Sequence, residues 1–169
     1  MQYVFTFFFI ITGFAGLSQG VVYIDTTEST YLAPLEDSST SIADDLVRTA
    51  FSFEGVNYKY GGMGRDGMDC SGLICRVFSD LNMKVPHSSA SLSQLGEYVN
   101  ADYLQRGDLL FFKGHSSNSV GHVAMVSKIV NGKIFMIHSS TSRGVIEEVL
   151  QDSEYFMKRW LFNKRIPKD

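Results

Sequence analysis

The residues best suited to chemistry in this chain are one cysteine and two histidines. Cys70 lies in Asp69-Cys70-Ser71-Gly72, just ahead of Leu73, Ile74, Val77, Phe78 and Leu81, whose spacing is that of an amphipathic helix. The thiol therefore falls in the first turn, where unpaired backbone N–H groups and the positive end of the helix dipole favour a thiolate. A thiol nucleophile needs a base that accepts a proton near neutral pH, and histidine is the side chain whose unperturbed pKa suits. His122 follows Gly121 and opens the apolar run Val123-Ala124-Met125-Val126, while His138 closes Ile134-Phe135-Met136-Ile137. Between the two runs stands Asn131-Gly132, a tight-hairpin dipeptide that folds the second run back beside the first. Neighbouring strands lie about 4.8 Å apart, so imidazoles distant in sequence can become hydrogen-bond neighbours. A Cys–His–His relay follows: Cys70 attacks, His122 shuttles the proton, and His138 fixes the ring and tautomer of His122.

The remaining thiol and imidazoles lack that setting. Cys75 shares the helix of Cys70, and five helical residues separate Cα atoms by roughly 8 to 9 Å, beyond the ~7 Å reach of a disulfide. The two should not pair, and Cys75 reads as a small buried hydrophobe. His87 follows Pro86 in a loop and could line a cleft; His115, in Gly114-His115-Ser116-Ser117-Asn118, reads as solvated. Taken singly, His122 and His138 could each be structural. Taken with Cys70 they could also hold zinc, although no CxxC or HExxH spacing supports a metal.

These side chains need elements to position them. Thr40 or Ser41 can cap a helix in which Ile42, Leu46, Val47, Ala50 and Phe51 recur at helical spacing, with Asp44 and Asp45 in the first turn and Gly55 past the end. A glycine-rich loop from Tyr58-Lys59-Tyr60-Gly61-Gly62 through Gly64 and Gly67 delivers the chain to the helix of Cys70. Ser88 to Leu95 suggests a short third helix. The texture then changes to β-like runs at Leu109 to Phe112, Val123 to Val130, Ile134 to His138, Val145 to Val149 and Lys158 to Arg165. Helices first and strands later predict an α+β domain built on an antiparallel sheet.

The chain has 169 residues, 44% hydrophobic and 20% charged, with a net charge of −3. That suits one globular domain with a real core, and the mild acidity without a basic stripe excludes the electrostatic footprint of a nucleic-acid binder. Residues 1 to 24 carry no charged side chain. Their apolar run of about 15 residues is short for a bilayer span, which needs roughly 20, but suits the hydrophobic region of a secretory signal. Gly16, Ser18 and Gly20 offer a cleavage neighbourhood. Residues 1–20 are thus expected to be a signal peptide, with an uncleaved anchor as the alternative. Residues 21–40 read as a Ser/Thr-rich linker around Pro34, and 41–169 as the catalytic domain. Export to the periplasm, the cell wall or the exterior follows, with no stable membrane span after signal cleavage.

Six fragments, in order, resemble the NlpC/P60 cysteine peptidases: Tyr58-Lys59-Tyr60-Gly61-Gly62, Met68-Asp69-Cys70-Ser71-Gly72-Leu73-Ile74, Val85-Pro86-His87-Ser88-Ser89, Gly107-Asp108-Leu109-Leu110-Phe111-Phe112, Gly121-His122-Val123-Ala124-Met125-Val126 and Ile137-His138. The resemblance runs from near Ile42 to Ile166. It implies a papain-like fold, N-terminal helices packed on a small antiparallel sheet, and hydrolysis of the amide between γ-D-glutamate and a diamino acid in peptidoglycan stem peptides. By the same likeness Cys70 is the nucleophile, His122 the base and then acid, and His138 the orienting residue. Tyr58 matches a tyrosine that lines the site and can serve the oxyanion. Asp69 and Ser71 match positions that recognise the free amine of the stem, although Asp69 could equally be only a helix cap. No metal or organic cofactor is implied. His87 stands where the family often has Arg, and residues 21–40 are too short for a wall-binding module. Two other readings stay open: a catalytically silent wall- or partner-binding module on the same fold, and an exported amidase, transpeptidase or effector with the same chemistry.

Overall fold

The computed structural model describes residues 41–115 and 119–166. The expected signal segment 1–20 and linker 21–40 lie outside these residues. Helix α1 (Ile42–Phe51) is capped by Ser41, whose Oγ accepts the N–H of Asp44, with Asp44 and Asp45 in the first turn. Its apolar stripe buries Leu46, Val47 and Ala50. The glycine-rich stretch expected as a loop contains a small hairpin of β1 (Met63–Gly64) and β2 (Gly67–Met68), strands too short to leave a period-two pattern. Helix α2 (Cys70–Asp80) follows at once and buries Leu73, Ile74, Val77 and Phe78. Helix α3 (Ser89–Leu92) is shorter than expected. Its serines compete with the helical ladder for backbone groups: Ser88 caps it, and the Ser93 hydroxyl donates to the Ala90 carbonyl at 2.7 Å.

The remaining chain builds a six-stranded antiparallel sheet. Its strands are β3 (Glu97–Val99), β4 (Leu109–Lys113), β5 (Val120–Val130), β6 (Lys133–Ser140), β7 (Gly144–Val149) and β8 (Trp160–Arg165), in the order β3-β8-β4-β5-β6-β7. A short helix α4 (Glu154–Met157), capped by Ser153, delays the last strand to Trp160. Asn131 and Gly132 both have positive φ, 51° and 75°, and Val130 pairs with Lys133 across them, as a tight hairpin turn requires. The last strand is braced to β4 by the buried carboxylate of Asp108, which accepts from Arg165 Nε at 2.7 Å and Nη2 at 2.8 Å.

Alternation along the strands splits the core in two. Leu109, Phe111, Val123, Met125, Ile137 and Val145 face α1 and α2, whereas Leu110, Phe112, Ala124, Val126, Met136 and Phe156 form a second cluster on the opposite face. Adjacent Phe111 and Phe112 are both fully buried, one in each cluster, and each contributes roughly 2–3 kcal/mol by removal from water. The helix-facing core presses the start of α2 against the sheet.

Candidate active site

Asp69 caps α2, accepting the Gly72 N–H at 2.7 Å, and this fixes Cys70 as the first helical residue. Gly72 is required for the approach: a Cβ there would stand 1.9 Å from the carbonyl oxygen of Gly62. The Cys70 sulfur lies under the backbone N–H groups of Val123, Ser71 and Cys70 itself, so it sits one residue from His122 on β5. The helix start was expected to favour a thiolate. Burial instead pushes the Cys70 thiol above its ordinary value, the Asp69 carboxylate adds to the rise, and the three N–H groups only partly offset it. Cys70 is therefore held as a neutral thiol. Cys75 is likewise unpaired, its Sγ 3.3 Å from the Val85 carbonyl, as the helix geometry predicts.

His122 and His138 come from neighbouring strands. The register Met125↔Ile137, continued one step, sets His138 against Ala124, two residues from His122 and on the same face. Their rings meet through His122 Nε2 and His138 Nδ1 at 3.1 Å, packed on Phe156. The chain continues beyond the expected residues. His138 Nε2 lies 2.6 Å from Glu148 Oε1, and Glu148 Oε2 accepts from Arg143 Nη2 at 2.7 Å. Desolvation, then the neighbouring His138, lowers the His122 pKa to about 3; the bonds from His138 and Arg143 lower that of Glu148 to about 2. Hence Glu148 is ionised and His122 neutral at ordinary pH.

With a neutral imidazole at His138, the hydrogen bonds then set the tautomers. A carboxylate only accepts, so His138 Nε2 carries the hydrogen and its Nδ1 is a lone pair. His122 Nε2 must then donate to that lone pair, which leaves His122 Nδ1 as the unprotonated nitrogen. Glu148 and Arg143 were missed in the sequence. The available cue was a carboxylate pair, Glu147-Glu148, inside an otherwise apolar strand. Because His138 pairs with Ile146, Glu148 falls two residues on, the diagonal neighbour of His138, while Glu147 faces the other way to Ser127 and Lys128.

A cleft runs past the thiol in two halves that share Tyr58, Cys70 and Gly121. One, of about 380 Å³, holds His122, His138, Lys113, Arg143, Glu148 and Tyr155 on its walls. The other, of about 400 Å³, is lined by Tyr60, Asp69, Ser71, His87 and Ser88. Burial, then the nearby Cys70, raises the Tyr58 pKa, so its phenol keeps the hydrogen it can donate. Asp69 accepts from Gly61 N at 2.8 Å and Ser71 Oγ at 3.0 Å as well as Gly72 N, and lies 3.2 Å from His87 Nε2. Its capping role is thus explicit, and His87 takes its place beside Asp69. His115 is exposed at the mouth of the first half. Among the described residues no group of three His, Cys, Asp or Glu side chains is disposed to hold a metal ion.

A thiol at a helix start, pressed against an antiparallel sheet that carries a hydrogen-bonded imidazole pair, defines the papain-like α+β class. Residues 55–165 match the NlpC/P60 family, and the chain belongs to that family. It is 36% identical over 135 residues to the probable endopeptidase NlpC of Escherichia coli, covering 79% of this chain and 84% of that one. It is 30% identical over 144 residues to the gamma-D-glutamyl-L-lysine dipeptidyl-peptidase of Bacillus cereus, covering 85% of this chain but 42% of the relative. The crystal structure of an NlpC/P60 family protein from Bacillus cereus superposes with a TM-score of 0.64 at 34% identity, over 73% of this chain and 39% of that one. The chain therefore spans most of the E. coli relative and under half of the Bacillus cereus sequence and structure it matches.

Proposed function

We propose that this protein is a cell-wall hydrolase, a cysteine endopeptidase that cuts the amide between γ-D-glutamate and the diamino acid of peptidoglycan stem peptides. The observation that carries this reading is the directed chain from Arg143 through Glu148 and His138 to His122, which delivers one free imidazole nitrogen to the cleft that holds the Cys70 thiol. The name of the E. coli relative supports an endopeptidase, and that of the Bacillus cereus relative supports a bond between γ-D-glutamate and a diamino acid.

In this mechanism the Cys70 sulfur attacks the amide carbonyl carbon as its proton passes to His122 Nδ1. Proton transfer accompanies attack, since the free protein holds a neutral thiol and a neutral imidazole. The Cys70 N–H and the Tyr58 hydroxyl stabilise the oxyanion, a donor of this kind being worth about 10²–10³ in rate. As the C–N bond breaks, His122 returns the proton to the leaving nitrogen. Water, deprotonated by His122, then hydrolyses the thioester to a carboxylate and regenerates the thiol. Glu148 steadies the transient imidazolium from beyond His138, and its charge is among the influences that raise the His122 pKa against burial. Asp69 and Ser71 face the acyl half and are available to the free amine of the stem. Residues 1–20 would direct export, 21–40 would tether, and the domain from residue 41 would act in the envelope. No helix of the described residues is long and apolar enough to cross a membrane.

The test is to incubate the protein and its Cys70→Ala variant with whole peptidoglycan and with free stem peptides, reading fragments by mass spectrometry. The expected product is a new diamino-acid amine, absent with Cys70→Ala. No fragment from either substrate, with Cys70 still reactive toward iodoacetamide, would favour a silent binding module instead.

A further inference from the structure

The mechanism uses neither His87 nor its contact with Asp69, yet the pair sits on the wall of the cleft beside the thiol. His122, which must reach the departing nitrogen, lines the other half, so on the hydrolase reading the half lined by Asp69 and His87 receives the acyl side of the scissile bond. Among the Asp, Glu, Lys and Arg side chains this half is lined by Asp69 alone. Burial opposes the charge of Asp69, but the bonds from Gly72, Gly61, Ser71 and His87 hold its carboxyl below the ordinary value, so it is ionised. Three of those donors are neutral, two backbone N–H groups and a hydroxyl. His87, with Nε2 3.2 Å from Asp69 Oδ1, is the one ion-pair partner of Asp69 among the described residues, and so the one donor that can bring a positive charge. Its side chain is 27% exposed, against 11% for Asp69, so it exchanges protons with the cleft. The elements around the ring add no other charge. Gly72 of α2 packs against it, where a Cβ would stand 3.1 Å from Nε2, and Ser88 and Ser89 are its neighbours in the chain. Of the other titratable groups lining this half, burial keeps Tyr58 and Cys70 neutral, and Tyr60 is a phenol 89% exposed.

We propose that a proton on His87 and an ammonium group in the acyl half exclude one another, so that His87 sets by pH whether the protein takes stems with a free amino terminus or only stems with an acylated one. A neutral imidazole donates its Nε2 hydrogen to Asp69 and leaves the carboxylate's charge to an arriving ammonium. An imidazolium makes a charge-assisted bond to the same oxygen, answers that charge itself and repels a second cation beside it. Imidazole is the side chain that ordinarily changes charge between pH 5 and 8. An acylated terminus carries no charge and is indifferent to the state of His87. Acidification therefore moves the preference from stems with a free amine towards stems whose amine is still blocked.

Two synthetic stems test this, L-Ala-γ-D-Glu-L-Lys and the same peptide acetylated on the alanine nitrogen. The α-amine has an ordinary pKa of about 8, so the first keeps its ammonium from pH 5 to pH 7 and the second never has one. The quantity read is the ratio of kcat/KM for the free stem to that for the acetylated stem, in which titrations of the thiol and the relay, common to both substrates, cancel. In the wild-type protein the ratio should rise about tenfold from pH 5 to pH 7, mainly through KM of the free stem. His87→Gln keeps a donor to Asp69 without a charge, and its ratio should be flat across this range at the high wild-type value. His87→Arg carries a permanent charge, and its ratio should be flat at the low one. A wild-type ratio constant within twofold, or a His87→Gln ratio that climbs in parallel with the wild type, would overturn the inference alone. Failure to cleave either stem at any pH, with Cys70 still alkylated by iodoacetamide, would overturn the hydrolase reading and this inference together.

Discussion

Replacing Glu148 by Gln keeps the shape of the relay and reverses its direction. Gln offers one acceptor oxygen where the carboxylate offered two, and two groups compete for it: the Arg143 guanidinium and His138 Nε2. The charged donor wins, since charge-assisted bonds are about twice as strong as neutral ones. The amide NH₂ then points at His138 Nε2, which must become the lone pair, so the hydrogen moves to His138 Nδ1. That nitrogen now donates to His122 Nε2, and the His122 hydrogen is displaced to Nδ1, the position needed to accept the thiol proton. In a Ser–His–Asp triad, amide for carboxylate costs about 10⁴ in kcat through the wrong tautomer. Here the lesion lies one imidazole further from the Cys70 thiol, and on the proposed mechanism a loss of about 10²–10⁴ in kcat with little change in KM is expected. Glu148→Ala should be milder than Glu148→Gln, because water in the vacated space can accept from His138 Nε2 and preserve the tautomer. The assay is stem-peptide hydrolysis across pH, paired with imidazole ¹⁵N shifts that report which nitrogen of His122 carries the hydrogen. A Glu148→Gln protein within threefold of wild type, or one that still shows the hydrogen on His122 Nε2, would refute the reasoning.

The remaining predictions concern the thiol, acid stability and the approach of α2. In a Cys75→Ser background, alkylation of Cys70 by iodoacetamide should rise with pH to a midpoint above the ordinary thiol value, because burial raises its pKa; a fast plateau near pH 6 would contradict this. The unfolded chain binds a proton at His122 below about pH 6.5, whereas the folded protein does not until about pH 3, and Glu148 behaves alike between its ordinary value of 4.5 and about 2. Both groups therefore bind fewer protons folded than unfolded, so stability should fall as pH drops from 6.5 towards 3, by several kcal/mol on the order of 1.4 per unit of His122 shift. Urea midpoints measured from pH 7 to pH 4 check this, and a flat profile would be inconsistent with a buried neutral His122. Gly72→Ala forces a Cβ against the Gly62 carbonyl and should cost about 1–3 kcal/mol while slowing Cys70 alkylation, since it shifts the start of α2. An unchanged melting temperature would show that the two backbones separate freely.

What was legible in the sequence was local, and what was not depended on register or burial. The cap at Asp69, the helical stripe from Leu73 to Phe78 and the Asn131-Gly132 turn each carry their signal within a few residues, and each formed where expected. The strands β1 and β2, two residues each, are too short for any period to register, and α4 displaced the start of β8 because Ser153 capping Phe156 N–H leaves no apolar pattern. The thiol's pKa went the other way from the helix-dipole argument for a tertiary reason: the same packing that drives α2 onto the sheet takes the sulfur out of water. Glu147 and Glu148 show where local reading stops. They are chemically identical neighbours, yet one ties Ser127 and Lys128 and the other fixes two imidazoles. The whole difference is the pairing His138↔Ile146. A slip of one residue would exchange their faces, put Glu147 on the site and leave His138 without an acceptor aligned to it. The hairpin closed by Asn131-Gly132 sets the register of β6 on β5, and the turn at Gly144, whose φ is 70°, sets β7 on β6. Two turns remote from the thiol thus decide which carboxylate meets His138, and through it how the imidazole of His122 is oriented.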